Sequence, residues 1–118
     1  MKHNTMRFLN EEQKSKSLGM KYDENKPRWD LLPVDALLEI VKVLTFGARK
    51  YADWNWVHVS PPSRYYRAAI SHINSFWLGE DNDKETGISH LSHAACCILF
   101  LISMRIRGIK IDRQSDKL

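Results

Sequence analysis

The segment Glu80-Asp81-Asn82-Asp83-Lys84-Glu85-Thr86 lies between His72 and the pair His90-x-x-His93. Side chains three apart on a helix project to the same side, so the imidazoles of His90 and His93 can reach one cation or one phosphate. Three histidines beside the carboxylates of Glu80, Asp81, Asp83 and Glu85 make a mixed nitrogen and oxygen donor set. Such a set suits Mn²⁺, Mg²⁺ for its carboxylate part, Co²⁺ or Zn²⁺. The candidate metal ligands are therefore Glu80, Asp81, Asp83, His90 and His93, with His72 and Glu39 as further choices. A plainer alternative stands beside this one: hydrogen-bonded boundary histidines next to a solvated loop, whose charges favour the positive end of the helix that follows. Glu80 and Asp81 gain nothing from that effect, because they follow the negative end of the preceding helix, and a cation accounts for them better. Glu39 shares a polar strip with Asp35, and that strip serves equally well as a solvated face.

A second constellation is Gly47-Ala48-Arg49-Lys50-Tyr51, followed by Asp53-Trp54-Asn55-Trp56. Cations for phosphates, π-faces for a base and an amide for its edge are what a nucleotide site requires. Arg49 and Lys50 are candidates for the phosphates, and Tyr51, Trp54 and Asn55 for base and sugar, the alternative being a packed loop with incidental basic residues. Lys26 and Arg28, in Lys26-Pro27-Arg28-Trp29-Asp30, fit a phosphate-contacting arm or a rigid linker. Several sharper signatures are absent from the chain: no G-x-x-x-x-G-K-[ST], no G-x-G-x-x-G, no G-x-S-x-G, no H-E-x-x-H and no His-Asp dipeptide.

These residues need elements to hold them. Pro33 opens a run in which Val34, Leu37, Leu38, Val41, Leu44 and Ala48 recur at helical spacing, predicting a helix over 33–50 with Gly47 perturbing its end. Residues 51–62, with Trp54, Trp56 and Pro61-Pro62, read as an aromatic loop. Ser63 is placed to cap a second helix over 63–78 that stops at Gly79, and a third over 88–107 ends near Gly108. No segment alternates with period two, so the fold class is all-α, a small helical bundle. Residues 1–20 read as a polar N-terminal arm, with one short helix from Asn10 to near Gly19, and 21–118 as a single domain. The first and third helices are apolar over wide arcs, and three helices in 118 residues bury a marginal core, so self-association is expected to complete it.

Composition narrows the class further. The run from Ala94 to Ile102 is far shorter than the roughly 20 residues of a membrane span, and Met1-Lys2-His3-Asn4 opens no signal peptide, pointing to a soluble, cytoplasmic protein without membrane partners. The cysteines, Cys96 and Cys97, are sequence neighbours, which suits buried thiols rather than a disulfide framework. A net charge of +4 and a pI near 9.2 favour anionic partners without choosing among them.

The run Lys21-Tyr-Asp-Glu-Asn-Lys-Pro-Arg-Trp-Asp-Leu-Leu-Pro33, then Phe46-Gly-Ala-Arg-Lys-Tyr51, Asn55-Trp56, Arg64-Tyr-Tyr66 and Gly79-Glu-Asp-Asn-Asp-Lys-Glu-Thr-Gly-Ile-Ser-His-Leu-Ser-His-Ala94 resembles the phage dATP/dGTP diphosphohydrolases. The similarity extends from about Lys21 to Met104. That family resembles the MazG-like all-α nucleoside triphosphate pyrophosphohydrolases, which assemble as dimers or tetramers and use Mg²⁺ or Mn²⁺. The resemblance implies a homodimer or homotetramer that hydrolyses a purine deoxynucleoside triphosphate to monophosphate and pyrophosphate, reshaping the nucleotide pool of an infected host's cytoplasm. It further implies metal-assisted in-line attack of water on phosphorus, with Glu80, Asp81 and His93 as the catalytic candidates. MazG-like enzymes carry E-E-x-x-E and E-x-x-D helices, and no predicted helix of this chain carries either motif. Either a rearranged set recruits Glu80, Asp81 and Asp83, or the scaffold persists without the chemistry.

A rival class gives the basic arms Lys14 to Lys26 and Arg105 to Lys117 to nucleic acid, with the tryptophans stacking on bases. It explains the pI and leaves the acidic loop without a role. A bare oligomerisation module would explain the wide apolar faces alone.

Overall fold

The structure, a computed structural model, describes residues 19, 20, 22 and 24–118. The short helix expected between Asn10 and Gly19 lies outside the described residues. The described residues up to Leu31 belong to one compact unit, and residues 32–118 form another. In the first, Trp29–Leu31 form a single 3₁₀ turn, and the Arg28 guanidinium pairs with the Asp30 carboxylate at 2.7 Å on an exposed surface. That pair satisfies Arg28 locally.

The second unit consists of α1 (Val34–Lys50), α2 (Ser63–Trp77) and α3 (His90–Ile106), as the apolar spacing predicts. No β-strand occurs among the described residues; Asn82 and Ser89 make one isolated antiparallel bridge. Three local expectations are corrected. Gly47 does not perturb α1, which continues to Lys50, because a lone helical glycine costs only about 1 kcal/mol. Pro33 caps α1 in an extended conformation instead of entering it. Ser63 is the first residue of α2 rather than its cap, and its Oγ donates to Asp112 Oδ2 at 2.5 Å while its N–H donates to Asp112 Oδ1 at 2.8 Å. A carboxylate from the C-terminal segment therefore supplies what a capping side chain would.

α3 packs against both other helices, most extensively against α2. Ala69 on α2 and Ala94, Cys96, Cys97 and Met104 on α3 are the buried apolar side chains, mostly small, and small residues at a crossing let two helices approach closely. Burial pushes the Cys96 thiol up to about 12 and Cys97 to about 11, so both stay protonated, and both are free. Above this core, Trp56 from the 3₁₀ turn Asn55–His58 stacks on Phe100 of α3, with centroids 4.8 Å apart, and Tyr65 of α2 meets Phe100 edge-on. α1 has no buried residue among those described, and Leu37, Leu38 and Val41 on it are exposed, as are Ile98, Ile102 and Ile106 on α3. No described helix is long and apolar enough to cross a membrane.

Candidate metal centre and aromatic cavity

The acidic loop doubles back between α2 and α3. Gly79, with φ +102°, ends α2, and the next amide, that of Glu80, reaches back to the Ser75 carbonyl. Asp83 N–H donates to Ile88, Gly87 N–H to Asp83, and His90 N–H to Asp81. Gly87 turns the chain with φ +72°, a conformation few side-chain-bearing residues tolerate. Asp83 organises the loop interior: its Oδ1 accepts the N–H groups of Glu85 at 2.9 Å and Thr86 at 3.0 Å. This occupies one oxygen of the carboxylate and leaves Oδ2 for another partner. Burial acts to raise the Asp83 carboxyl, but those two amides, with His93 and His72 nearby, outweigh it and hold the group below its ordinary value.

His72 on α2 approaches His90 on α3 with Nδ1 to Nδ1 at 2.8 Å, and His90 Nε2 meets Glu80 Oε1 at 2.7 Å. The hydrogen bond from His90 holds Glu80 below the usual carboxylate range, so Glu80 is the acceptor and His90 donates Nε2–H. That assignment turns the His90 Nδ1 lone pair toward His72. His93 stacks on His72 with ring centroids 4.7 Å apart, and its Nε2 lies 2.7 Å from Thr86 Oγ1. Burial and the neighbouring imidazoles push His72 down from its ordinary value, and burial does the same to His93 against the opposing pull of Asp83. Both therefore stay neutral to lower pH than a free imidazole, and the neutral ring is the form that binds a metal.

Donor atoms of His72, Asp83 and His90 lie within 4.8 Å of one another, a grouping able to hold an ion. Two facing imidazole nitrogens and a carboxylate oxygen fit a divalent cation, and Glu80 behind His90 is the carboxylate partner that metal-bound histidines commonly have. His93 and Glu80 thus flank this trio, the first against His72 and the second against His90. The Asp81 side chain is exposed and its backbone carbonyl is what serves the loop. Glu39 pairs with Lys42 on α1 at 2.7 Å and stands outside the grouping. Thr86 escaped the sequence reading, although Asp83-x-x-Thr86 before a glycine is a turn signature that could have flagged it.

The second constellation is divided by the fold. Arg49 lies with Leu38, Val41, Thr45 and Ile88 in a groove on the acidic-loop side of α1, and Lys50 pairs with Glu85 at 2.6 Å. The hydrogen bond from Glu85 raises Lys50 above its ordinary value. Tyr51, Trp54 and Asn55 instead line a cavity of about 1050 Å³, walled by Val43, Leu44, Gly47 and Ala48 from the other side of α1. Arg107 stands over Trp54 and Trp56 there, with its guanidinium carbon 5.6 and 5.4 Å from the ring centroids. Lys26 is exposed in the first unit.

An all-α domain with a histidine and carboxylate cluster between two helices and a separate aromatic cavity is the class of protein this describes. Residues 16–114 match the family described as dATP/dGTP diphosphohydrolase, N-terminal, and the chain belongs to that family. It is 31% identical over 83 residues, 70% of its length, to a dATP/dGTP diphosphohydrolase of Salmonella phage PMBT28. The match spans 28% of the length of that relative. No solved structure matches the chain.

Proposed function

We propose that this chain hydrolyses a purine deoxynucleoside triphosphate, dATP or dGTP, to the monophosphate and pyrophosphate with a divalent cation, Mg²⁺ or Mn²⁺, held by His72, Asp83 and His90. The observation that carries the reading is the convergence of those three side chains in a chain belonging to a family named for this activity. When bound, the cation supplies Lewis-acid charge for the triphosphate and lowers the pKa of a water. The residues of the chain do the rest. Glu80 fixes the His90 ring by accepting Nε2–H, the backbone amides of Glu85 and Thr86 hold Asp83 ionised, and His93 is kept neutral beside the trio, where it can take a proton from an attacking water. Asp81 keeps an exposed carboxylate in the same loop and is a further candidate to orient that water or a hydrated ion. Arg49 and Lys50, on the loop side of α1, are the candidates for the phosphates.

Homo-oligomerisation, as a dimer or tetramer in the host cytoplasm, goes with this reading, because Leu37, Leu38 and Val41 on α1 and Ile98 on α3 are uncovered in one protomer. The deciding experiment is product analysis of all four dNTPs with Mg²⁺, Mn²⁺ and Co²⁺ in turn. Monophosphate and pyrophosphate from the purines is the expected result. Release of inorganic phosphate would move the cleaved bond, and no turnover of any nucleotide would reject the activity. Light scattering of the same preparation measures the assembly, and a monodisperse monomer would reject the oligomer.

A further inference from the structure

The cavity on the far side of α1 has features that the metal centre leaves unused. Trp54 holds a left-handed backbone, φ +62°, which a bulky side chain adopts only when its surroundings impose it. The result is a tryptophan at the cavity rim, 63% exposed as a residue, under the Arg107 guanidinium. Arg107 Nε donates to Ser103 Oγ at 3.1 Å, which fixes the plane of the guanidinium and leaves both terminal nitrogens without a partner among the described residues. Arg64 also lines the cavity and has no ion-pair partner among the described residues, whereas Asp53 is the one carboxylate in the lining. Deeper in, Trp56 and Phe100 stack on each other and form an apolar floor. Two guanidinium groups against one carboxylate in the lining, beside an exposed aromatic ring, complement a ligand that is planar at one end and anionic at the other.

Arg107 follows His93 by fourteen positions along α3, about 21 Å at the helical rise of 1.5 Å per residue, and α1 presents one side to the cavity and the other to the acidic-loop groove. The phosphates of one nucleotide therefore cannot lie on both Arg107 and the His72–Asp83–His90 group of the same protomer. We infer that the cavity is a second nucleotide site, separate from the metal centre, which takes a nucleoside phosphate with its base on the exposed Trp54 ring and its phosphates on Arg107 and Arg64. Its size, about 1050 Å³, is just above the usual range for small-molecule sites, so a whole nucleotide fits. The inference stands whether or not the metal centre hydrolyses anything, because nothing in this cavity requires a cation.

Equilibrium dialysis and tryptophan fluorescence with dGMP and dGTP in EDTA test it. The intact chain should bind saturably, one nucleotide per chain, without a divalent ion. Arg107→Ala should weaken that binding at least tenfold, and Arg107→Lys should fall between, since it keeps the charge and loses the planar stack. Asp83→Ala should leave it unchanged. The absence of saturable binding in EDTA, equal binding by Arg107→Ala, or equal loss in Asp83→Ala would each overturn the second site. Inorganic triphosphate competing as strongly as dGTP would show that the aromatic walls take no part and would overturn it as well. So would nucleotide binding that falls as protein concentration rises, because a second copy of the chain would then be the occupant.

Discussion

His72 and His90 are eighteen positions apart in the chain and belong to different helices, yet their Nδ1 atoms lie 2.8 Å from each other. Two such nitrogens are either joined by one proton or present two lone pairs to a cation, and Asp83 stands close enough to complete either arrangement.

Mn²⁺ should raise the melting temperature of the intact chain, and replacing Asp83 by Asn or His90 by Ala should remove that rise and, under the proposed activity, abolish pyrophosphate release. Differential scanning calorimetry with and without Mn²⁺ separates this from unfolding. If both variants retain the metal-induced shift, the trio is not the ion's seat.

Glu80→Gln acts one step removed. The amide can still sit beside His90 but loses the charge that polarises the ring, so metal affinity should fall by roughly ten- to a hundredfold while the fold persists. Titration calorimetry with Mn²⁺ measures it. An unchanged affinity would reduce Glu80 to a loop residue.

The pH dependence of stability in EDTA has a definite sign. His72 and His93 are held below the ordinary imidazole value of 6.5 in the folded chain, so the unfolded chain takes up protons first as pH falls. Stability should therefore drop as pH falls from about 6.5 toward the native values, and neither group should contribute above about pH 7.5. Melting temperatures across this range, compared with His93→Gln, check it; the variant should show a shallower slope.

Ser63→Ala should destabilise the chain by about 1 kcal/mol, since it removes the hydroxyl that joins the start of α2 to Asp112 while leaving the Ser63 amide bond in place. Asp112→Ala removes both bonds and should lower the melting temperature further. Urea titration of the two variants gives the order, and the reverse order would show that the tether is not what holds this helix start.

Lys50→Met removes an exposed ion pair with Glu85, so stability should change by less than about 1 kcal/mol. A role in phosphate binding predicts something the fold does not feel: KM for the triphosphate should rise about tenfold, by the loss of one charge-assisted contact. Steady-state kinetics at saturating Mg²⁺ separates the two effects.

The helices were legible because their information is local. The apolar spacing from Val34 to Ala48 and the glycines at positions 79 and 108 set elements and endings that the structure reproduces to within a residue or two. The loop chemistry was legible as a list of residue types between two histidine-bearing helices, because its members are neighbours in sequence. Their division of labour was not. That Glu80 backs His90, that Asp83 rather than Asp81 turns inward, and that Glu39 spends its charge on Lys42 depend on how α2 and α3 cross and on which amides the turn at Gly87 aims at a carboxylate. The split of Arg49 and Lys50 from Tyr51, Trp54 and Asn55 has the same origin: neighbouring residues at the end of a helix point in different directions, and the packing of α1 sends the cations to the acidic loop and the aromatics toward Arg107. Arg107 lies more than fifty positions from Trp54, so no local pattern announces their contact, and the fold alone brings the guanidinium over the ring.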